Sequence, residues 1–287
     1  MAIPSPDLTG KAAIVTGASR GIGKAIAIAL GRAGCGVTVA AKSEQSREDL
    51  PGSIHETAAA IGPNALPVRC DVRNAEDIAG MVAQTVERFG RVDYFIHNAG
   101  ALWWRPLADT PLKRFDLIMD VNVRAGFAGC TEVLPHMRRQ GFGHVLLIAP
   151  PIDLEALPGK TAYLISKYGL TMLMLGLAAE ERGNGIGAST LWPATAVESA
   201  ATVNHQMGTP EMWRKADIVS DAVLALFSAP PLQRSGQALI DEELLREHGV
   251  TDFEPYNCVP GGKPLYIWGP QATTMRWMER AGALRGK

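Results

Sequence analysis

The chain lacks a surplus of charge of either sign. Its 28 Lys and Arg residues almost balance its 29 Asp and Glu residues, so the formal net charge is -1 at pH 7. Proteins that bind nucleic acid or an anionic membrane surface need a basic patch, and this composition supplies no basic surplus for one. The sequence therefore predicts no nucleic-acid partner and favours a small neutral or apolar ligand.

Cysteine is also scarce, with four residues in 287. They are too far apart in sequence to form metal-ligand pairs, and a chain of this length does not need disulfides to hold a core together. We interpret them as reduced, mostly buried thiols and expect no metal site; they are Cys35, Cys70, Cys130 and Cys258.

Long apolar runs are missing as well. No uninterrupted run approaches the roughly 20 residues that a membrane helix requires. The N-terminal segment Met-Ala-Ile-Pro-Ser-Pro-Asp has no basic region followed by an apolar stretch, so it does not look like a secretory signal. We expect a cytoplasmic protein without a membrane span.

What the chain does have is a 47% apolar fraction arranged as alternating strand-like and helix-like segments. This alternation predicts one α/β domain with a doubly wound parallel sheet, and such sheets bind ligands beyond the carboxyl ends of their strands. The predicted strands are 12–15, 36–40, 65–68, 92–96, 144–148, 186–191 and 237–240. The predicted helices are 25–33, 47–61, 75–89, 111–139, 163–182 and 216–227.

Beyond Asp241 the alternation loosens into Pro- and Gly-containing sequence over residues 254–270, followed by an amphipathic stretch at 273–284. Too few apolar residues remain there for an independent core. We therefore expect residues 1–241 to form the Rossmann-type catalytic domain, and residues 242–287 to be a C-terminal extension that packs on it.

The most informative motif follows the first predicted strand, where an apolar run gives way to glycines spaced Gly-x-x-x-Gly-x-Gly. Residues without a Cβ let the backbone turn sharply and approach a pyrophosphate, which the N–H groups and dipole of the next helix attract. The spacing is one residue longer in its first gap than the common dinucleotide fingerprint. The predicted contacts are Gly17, Ser19, Arg20, Gly21, Ile22 and Gly23.

A second motif places Tyr163 and Lys167 four residues apart, hence on one face of a predicted helix. A phenol with an ordinary pKa near 10 needs a stabiliser for its anion if it is to act as an acid or base at neutral pH, and a nearby ammonium is one. The alternative is a surface Tyr and Lys on an ordinary helix.

Together these motifs resemble the short-chain dehydrogenase/reductase family over residues 8–241. The resemblance rests on Thr16-Gly-Ala-Ser-Arg-Gly-Ile-Gly23, Asn98-Ala-Gly100, Asn122 and Tyr163-Leu-Ile-Ser-Lys167. It implies a three-layer Rossmann-type fold with about seven parallel strands, and hydride transfer between NAD(P) and a carbonyl or hydroxyl. The Pro150-Pro151 pair and Leu-Trp-Pro-x-Thr-Ala resemble the hydroxysteroid-dehydrogenase-like branch, without the sterol-carrier domain that often accompanies it.

The resemblance also implies roles. Tyr163 would donate or accept the proton, and Lys167 would hold the nicotinamide ribose. The backbone carbonyl of Asn122 would support a water that links the lysine to solvent, although such an asparagine can instead simply satisfy a helix. Asn98, Ala99 and Gly100 would let the cofactor lie close to the backbone.

Two strand ends bear on the adenosine half of the cofactor. Asp71 is expected to accept a hydrogen bond from the adenine amino group, with a plain helix N-cap as the alternative. The second strand ends at Lys42 without the acid that NAD binders place there, so Lys42 and Arg20 are expected to bracket the 2′-phosphate of NADP. Alternatively, both are solvated surface cations.

The chain departs from the family at the catalytic serine, whose position thirteen residues before Tyr163 is Pro150. Neither Ala149 nor Pro150 has a hydroxyl, and losing one preorganised donor can cost roughly 10²–10³ in turnover. Asp153, Lys160 and Thr161 are near in sequence. Ser166 is adjacent to Lys167, so on a helix it faces about 100° away.

The sixth predicted strand leads to Pro193 and Val197, which we expect near the nicotinamide, and then to residues 198–214 as a substrate lid. Apolar and aromatic side chains that could contact substrate are Met207, Met212, Trp213, Trp103 and Trp104. Ordinary core packing is the alternative for all of them.

The sequence thus predicts an NADP-dependent oxidoreductase that acts on an apolar or amphipathic carbonyl or secondary alcohol, with NAD less favoured. The alternative is a cofactor-binding sensor or scaffold with little turnover, in which the missing hydroxyl marks lost catalysis. The resemblance implies that helices 111–139 and 163–182 pack against partner copies as a four-helix interface. The second helix has more apolar surface than one core contact requires, at Met172, Leu173, Met174, Leu175 and Leu177. We therefore expect a homodimer or homotetramer.

Overall fold

The computed structural model describes residues 6–268 and contains a seven-stranded, all-parallel sheet. The strand order is β3-β2-β1-β4-β5-β6-β7, so the chain winds outward from β1 in both directions. The strands are β1 (Ala12–Thr16), β2 (Gly36–Ala41), β3 (Ala65–Arg69), β4 (Tyr94–His97), β5 (Gly143–Ile148), β6 (Ile186–Trp192) and β7 (Gln237–Ile240).

Helices cover both faces of this sheet, and short 3₁₀ turns connect several elements. A π-helical segment, Met119–Arg124, separates two of the helices without a break. The helices are α1 (Gly21–Arg32), α2 (Ile54–Ile61), α3 (Ala75–Phe89), α4 (Leu112–Ile118), α5 (Ala125–Gln140), α6 (Thr161–Glu180), α7 (Ala200–Asn204), α8 (Asp217–Phe227) and α9 (Asp241–Glu247).

The strands alternate their side chains between two apolar cores. In β1, for example, Val15 packs into the core beneath α1 and α8, whereas Ile14 packs into the core beneath α3, α5 and α6. Every residue of β1, β2, β5 and β6 is buried, as expected for a parallel sheet covered on both faces. The predicted doubly wound, three-layer fold is confirmed.

Several predicted boundaries are wrong. Residues 47–53 form a loop, and α2 begins only at Ile54, where the Ser53 side chain caps it by accepting from the Glu56 N–H. The predicted helix 111–139 is divided by the π-helical segment. One helix was not predicted: α9 begins at Asp241 with three acids in its first turn.

Residues 254–268 lie against the segment that follows β6. Leu265 connects two parts of it, since its carbonyl accepts from the Ala196 N–H (2.8 Å) and its N–H donates to the Met212 carbonyl (2.9 Å). The Ile267 N–H donates to the Ala194 carbonyl (2.8 Å). Beneath this layer the buried side chains of Arg214 and Glu242 form an ion pair. The predicted amphipathic stretch 273–284 lies outside the described residues.

Among the described residues, α6 is the one helix long and apolar enough to cross a membrane by length and composition. However, 61% of its apolar stretch is buried inside the domain, against β6 and the π-helical segment. In this fold α6 is therefore a core helix.

Candidate active site

A cleft of about 490 Å³ opens at the carboxyl ends of the strands. Thirteen of the residues predicted for the site line it, whereas Gly23, Asn122 and Val197 do not. The thirteen are Gly17, Ser19, Arg20, Gly21, Ile22, Lys42, Asp71, Asn98, Ala99, Gly100, Tyr163, Lys167 and Pro193.

The glycine turn has the backbone geometry that the sequence implies. Gly17 and Gly21 have φ of +66° and +55°, in the left-handed region that side chains disfavour. A Cβ at Gly23 would lie 2.4 Å from both the Gly17 carbonyl oxygen and Asn98 Nδ2. At the start of α1 no side chain caps the helix and no acid occupies the first turn, so its first N–H groups remain available to a phosphate.

Asn98 holds this turn against the end of β4. Its Nδ2 donates to the Thr16 carbonyl (3.0 Å), while the N–H groups of Asn98 and Ala99 both donate to Thr16 Oγ1 (3.1 Å each). The sequence placed Asn98 near the cofactor but gave no sign that it fastens two strand ends together.

At the far end of the cleft, the Asp71 carboxylate already accepts hydrogen bonds from a neighbouring side chain. Arg73 Nε donates to Asp71 Oδ1 (2.9 Å) and Nη2 to Oδ2 (2.5 Å), and this contact lowers the pKa of Asp71 to about 2. Asp71 is therefore ionised and an acceptor at neutral pH. Arg73 also lines the cleft, a contribution that sequence reasoning missed.

The two cations predicted to bind the 2′-phosphate differ in whether their charged groups already have partners in the protein. The Arg20 guanidinium donates to backbone carbonyls of the 47–53 loop, from Nε to Pro51 (2.9 Å) and from Nη2 to Gly52 (2.7 Å). Lys42 is exposed at the cleft and forms no ion pair within the described part of the chain. Arg20 therefore fixes the loop, and Lys42 is the more available charge.

Tyr163 and Lys167 lie buried together on α6, with 8% and 4% of their surfaces exposed. Lys167 Nζ lies 5.9 Å from the centre of the Tyr163 ring and donates to the Ile148 carbonyl (2.7 Å). Burial raises the pKa of Tyr163 and lowers the pKa of Lys167 to about 7. Because desolvation disfavours the charged form of each group, the phenol is protonated at neutral pH, and stabilisation of its anion by Lys167 stays a prediction.

Asn122 lies in the π-helical segment and supports both sides of the site. Its Oδ1 accepts from the Ala101 N–H (2.8 Å), and its Nδ2 donates to Ser166 Oγ (2.8 Å). The Ser166 hydroxyl in turn donates to the Tyr163 carbonyl (2.6 Å). The Asn122 carbonyl, expected to support a water, is 2.9 Å from Nε2 of the buried His97, a partner that the sequence did not indicate. Such π-helical insertions are frequent at functional sites.

The position expected for the catalytic serine is buried. Ala149 and Pro150 do not line the cleft, although Ile148 does. The Pro150 carbonyl accepts a hydrogen bond from Thr171 Oγ1 of α6 (2.7 Å), so this hydroxyl is already used. Ser166 is also turned away from the cleft, as predicted, toward the Tyr163 backbone.

Beside Tyr163 is a small, mainly apolar cavity of about 20 Å³. The Trp104 ring packs edge-on against Tyr163, with centroids 6.2 Å apart, which supports the expectation that Trp104 is part of this wall. Its lining residues are Trp104, Ala156, Lys160, Tyr163, Leu164, Trp192, Ile267 and Trp268. The last two come from the C-terminal segment, which sequence reasoning had not connected with the site.

The predicted lid, residues 198–214, divides into two parts, since Ser199, Ala200 and Ala201 line the cleft whereas none of residues 202–214 does. Trp213 is buried, and its Nε1 donates to the Met207 carbonyl (2.7 Å), so residues 207–213 pack on themselves. Val197 is buried and pairs with Arg214, whereas Ser199 at the start of α7 lines the cleft. Trp103 lies under the guanidinium of Arg114, 4.8 Å from its ring centre.

The glycine turn, the open helix N-terminus and the Tyr-Lys pair form one continuous cleft of the kind that holds a dinucleotide. A family model described as short chain dehydrogenase matches residues 11–207. The chain therefore belongs to the short-chain dehydrogenase family of nucleotide-binding oxidoreductases, as the sequence motifs predicted.

Individual relatives place it more narrowly. The chain is 38% identical to hydroxysteroid dehydrogenase-like protein 2 of Danio rerio, over 96% of this chain and 68% of that protein, which confirms the predicted branch. It spans about two thirds or less of the length of the curated relatives it matches. A short chain dehydrogenase structure from Mycobacterium thermoresistibile superposes with a TM-score of 0.84 at 38% identity, covering 93% of this chain and 99% of that one.

A more distant neighbour was solved with a cofactor. It is a metagenomic short-chain oxidoreductase in complex with NADP, and it superposes with a TM-score of 0.68 at 27% identity, covering 82% of this chain and 97% of that one.

Proposed function

We propose that this protein is an NADP-dependent oxidoreductase that transfers a hydride between the nicotinamide and an apolar or amphipathic carbonyl or secondary alcohol. The observation that carries the proposal is the buried pairing of Tyr163 and Lys167 at the inner end of the cleft. A protonated phenol beside a partly protonated amine is suited to passing a proton to a reacting oxygen.

In the reduction direction the bound cofactor supplies the hydride, and the protein supplies the proton and the geometry. The raised pKa keeps Tyr163 protonated, so its phenol can donate to the carbonyl oxygen of a substrate. The Ile148 carbonyl holds Lys167 by a 2.7 Å hydrogen bond. Asn122 fixes the Tyr163 turn of α6 through Ser166. The indoles of Trp104 and Trp192 form a wall that limits water.

The absence of a serine donor shapes the expected chemistry. With Ala149 and Pro150 buried, Tyr163 would polarise the carbonyl without a second hydroxyl from that loop. A missing donor can cost roughly 10²–10³ in turnover, so we expect slow turnover, or a substrate whose carbonyl is already activated.

The preference for NADP rests on Lys42, the exposed cation at the end of β2, and on the lack of an acid there. The NADP complex of the metagenomic neighbour is compatible with it. In Lys42→Asp, attraction for the 2′-phosphate becomes repulsion, so NADPH should bind at least tenfold more weakly while NADH changes little. Fluorescence titration of both nucleotides checks this, and unchanged selectivity would show that Lys42 does not contact the phosphate.

The deciding experiment for the reaction compares Tyr163→Phe with wild type in NADPH binding and in NADPH oxidation by a panel of carbonyl compounds. We expect the variant to lose turnover while binding NADPH within a few-fold of wild type. Tyr94→Phe is the matched control, since Tyr94 is a buried phenol in β4 that stacks on Phe227, away from the cleft. Turnover retained in Tyr163→Phe would remove the proton-transfer assignment.

The position of Pro150 favours a second candidate, a cofactor-binding sensor or scaffold with little turnover. NADPH binding without oxidation by any carbonyl of the panel would support it. We further propose a cytoplasmic location, a catalytic domain over residues 1–241 with 242–287 as an extension of it, and assembly into a homodimer or homotetramer through α5 and α6.

A further inference from the structure

We propose that Lys160 is an anion-binding subsite, and that the substrate is an amphipathic oxo or hydroxy acid whose carboxylate binds there. This inference rests on the proposed function, because it places the carboxylate next to the reacting carbonyl at Tyr163. Nothing in the oxidoreductase assignment itself requires a charged substrate.

Lys160 immediately precedes α6 and lies three residues before Tyr163. Lys160 is the N-cap residue and lies outside the helical backbone, so its proximity to Tyr163 rests on the cavity that both residues line. Both side chains line the small cavity beside the cleft. A ligand group held by Lys160 would therefore lie within a few bonds of a group held by Tyr163.

The Lys160 ammonium has no ion-pair partner among the described residues. Within residues 6–268 its Nζ has no carboxylate at ion-pair distance and donates no hydrogen bond, and it lies 4.7 Å from the centre of the Trp104 ring. Asp153 is the acid whose field acts on it, but its Oδ1 accepts from the Glu155 N–H (2.9 Å). Burial lowers the pKa of Lys160. A partly desolvated cation without a counterion is costly, and an anionic ligand would relieve that cost.

The rest of the cavity wall has no acid. Besides Lys160 and Tyr163 it consists of apolar and indole side chains from four separate segments. Lys160 is the one cation that the described residues give this wall. A single ammonium favours one carboxylate over a phosphate, which proteins bind better with several donors or a bidentate guanidinium.

The size of the cavity indicates which part of the ligand enters it. About 20 Å³ is room for about one water molecule, so of the ligand only a carboxylate oxygen would enter it. Tyr163 and Trp192 line both this cavity and the large cleft. The carbon chain would then extend past them into the cleft.

The test measures binding without turnover, so that it does not depend on the proposed reaction. Calorimetry on the NADP⁺-saturated protein would compare three unreactive carboxylates, butanoate, octanoate and 4-phenylbutanoate, with their uncharged amides. The variants are Lys160→Gln, which removes the charge, and Lys160→Arg, which keeps it. Lys113→Gln is the matched control, since Lys113 is exposed on α4.

In wild type we expect at least one carboxylate to bind tenfold or more tightly than its amide. Lys160→Gln should abolish the preference, whereas Lys160→Arg and Lys113→Gln should retain it. No preference in wild type for any of the three pairs, or a preference that survives in Lys160→Gln, would overturn the inference. If this inference fails but Tyr163-dependent turnover of neutral carbonyls is observed, the proposed function still stands. If the carboxylate preference is observed without any turnover, this inference stands and the proposed function fails.

Discussion

Replacing Lys167 by Met should make the apo protein more stable at neutral pH while it removes the proposed catalytic amine. Lys167 is 4% exposed, and burial lowers its pKa from the ordinary 10.5 to about 7. At about 1.4 kcal/mol per pH unit, keeping this amine in the fold costs on the order of 5 kcal/mol below pH 7. Methionine has a similar length and no charge.

Against this gain stands the loss of one hydrogen bond. Lys167 Nζ donates to the Ile148 carbonyl at 2.7 Å, and a charged hydrogen bond contributes about 1.5–3 kcal/mol. The net expectation at pH 6 is that Lys167→Met is more stable by about 2–3 kcal/mol, or roughly 5 °C in Tm.

The sign of the pH dependence follows from proton counting. Between pH 7 and 10.5 the unfolded chain holds a proton on Lys167 that the folded chain has released, so wild-type stability rises with pH in this window. The advantage of the Met variant should therefore shrink by about 3 kcal/mol between pH 7 and pH 9.

Thermal unfolding of both proteins without nucleotide, from pH 6 to pH 9.5, measures this difference. Lys113→Met is the control, because its exposed side chain should give a difference in Tm that does not vary with pH. A Lys167→Met difference that is constant across the same range would refute the argument, since it would mean that folding leaves the Lys167 pKa unchanged.

Three further results are expected. Gly23→Ala should weaken NADPH binding at least tenfold in fluorescence titration, because the new Cβ would lie 2.4 Å from two neighbouring atoms, whereas Gly80→Ala, with open space around it, should bind normally. Arg214→Met should lower Tm by several degrees in calorimetry, because it leaves the buried Glu242 carboxylate without its buried partner; an unchanged Tm would contradict this. Met172→Glu, at a side chain 65% exposed on α6, should reduce the mass measured by light scattering to that of one chain, and a single-chain mass already in wild type would rule out the oligomer.

The sheet and the glycine turn could be predicted because they depend on short-range patterns. Alternation of strand and helix specifies a parallel sheet, and that sheet brings Gly17, Asn98 and Pro193 to one edge whatever the details of their loops. The pairing of Tyr163 with Lys167 follows from helix geometry alone.

What could not be predicted depends on long side chains and on small changes of helix pitch. Nothing in the sequence distinguishes an Arg20 that binds a phosphate from one that binds the carbonyls of Pro51 and Gly52. The same holds for Arg73, which takes the Asp71 carboxylate. The π-helical segment Met119–Arg124 was not recognised from the sequence, so the contact of His97 with the Asn122 carbonyl could not be predicted.

The start of α9 was not predicted, although the sequence has a signal for it. Asp241, Glu242 and Glu243 are acids in the first turn of α9, the arrangement that the helix dipole favours. The contact of residues 265–267 with the loop after β6 had no signal in the sequence. It consists of three backbone hydrogen bonds between distant segments, and backbone hydrogen bonds do not depend on the side chains of the residues that form them.

That contact bears on how fast the site can exchange its contents. Because Leu265 hydrogen-bonds to both Ala196 and Met212, the segment after β6 and residues 262–268 are held together. Residues 210–214 therefore cannot move away alone. Either residues 262–268 move with them, or the hydrogen bonds between the two segments break. Opening of the small cavity that Ile267 and Trp268 line would then require fraying of residues 262–268, and amide hydrogen exchange at Leu265 and Ile267 would report the opening rate directly.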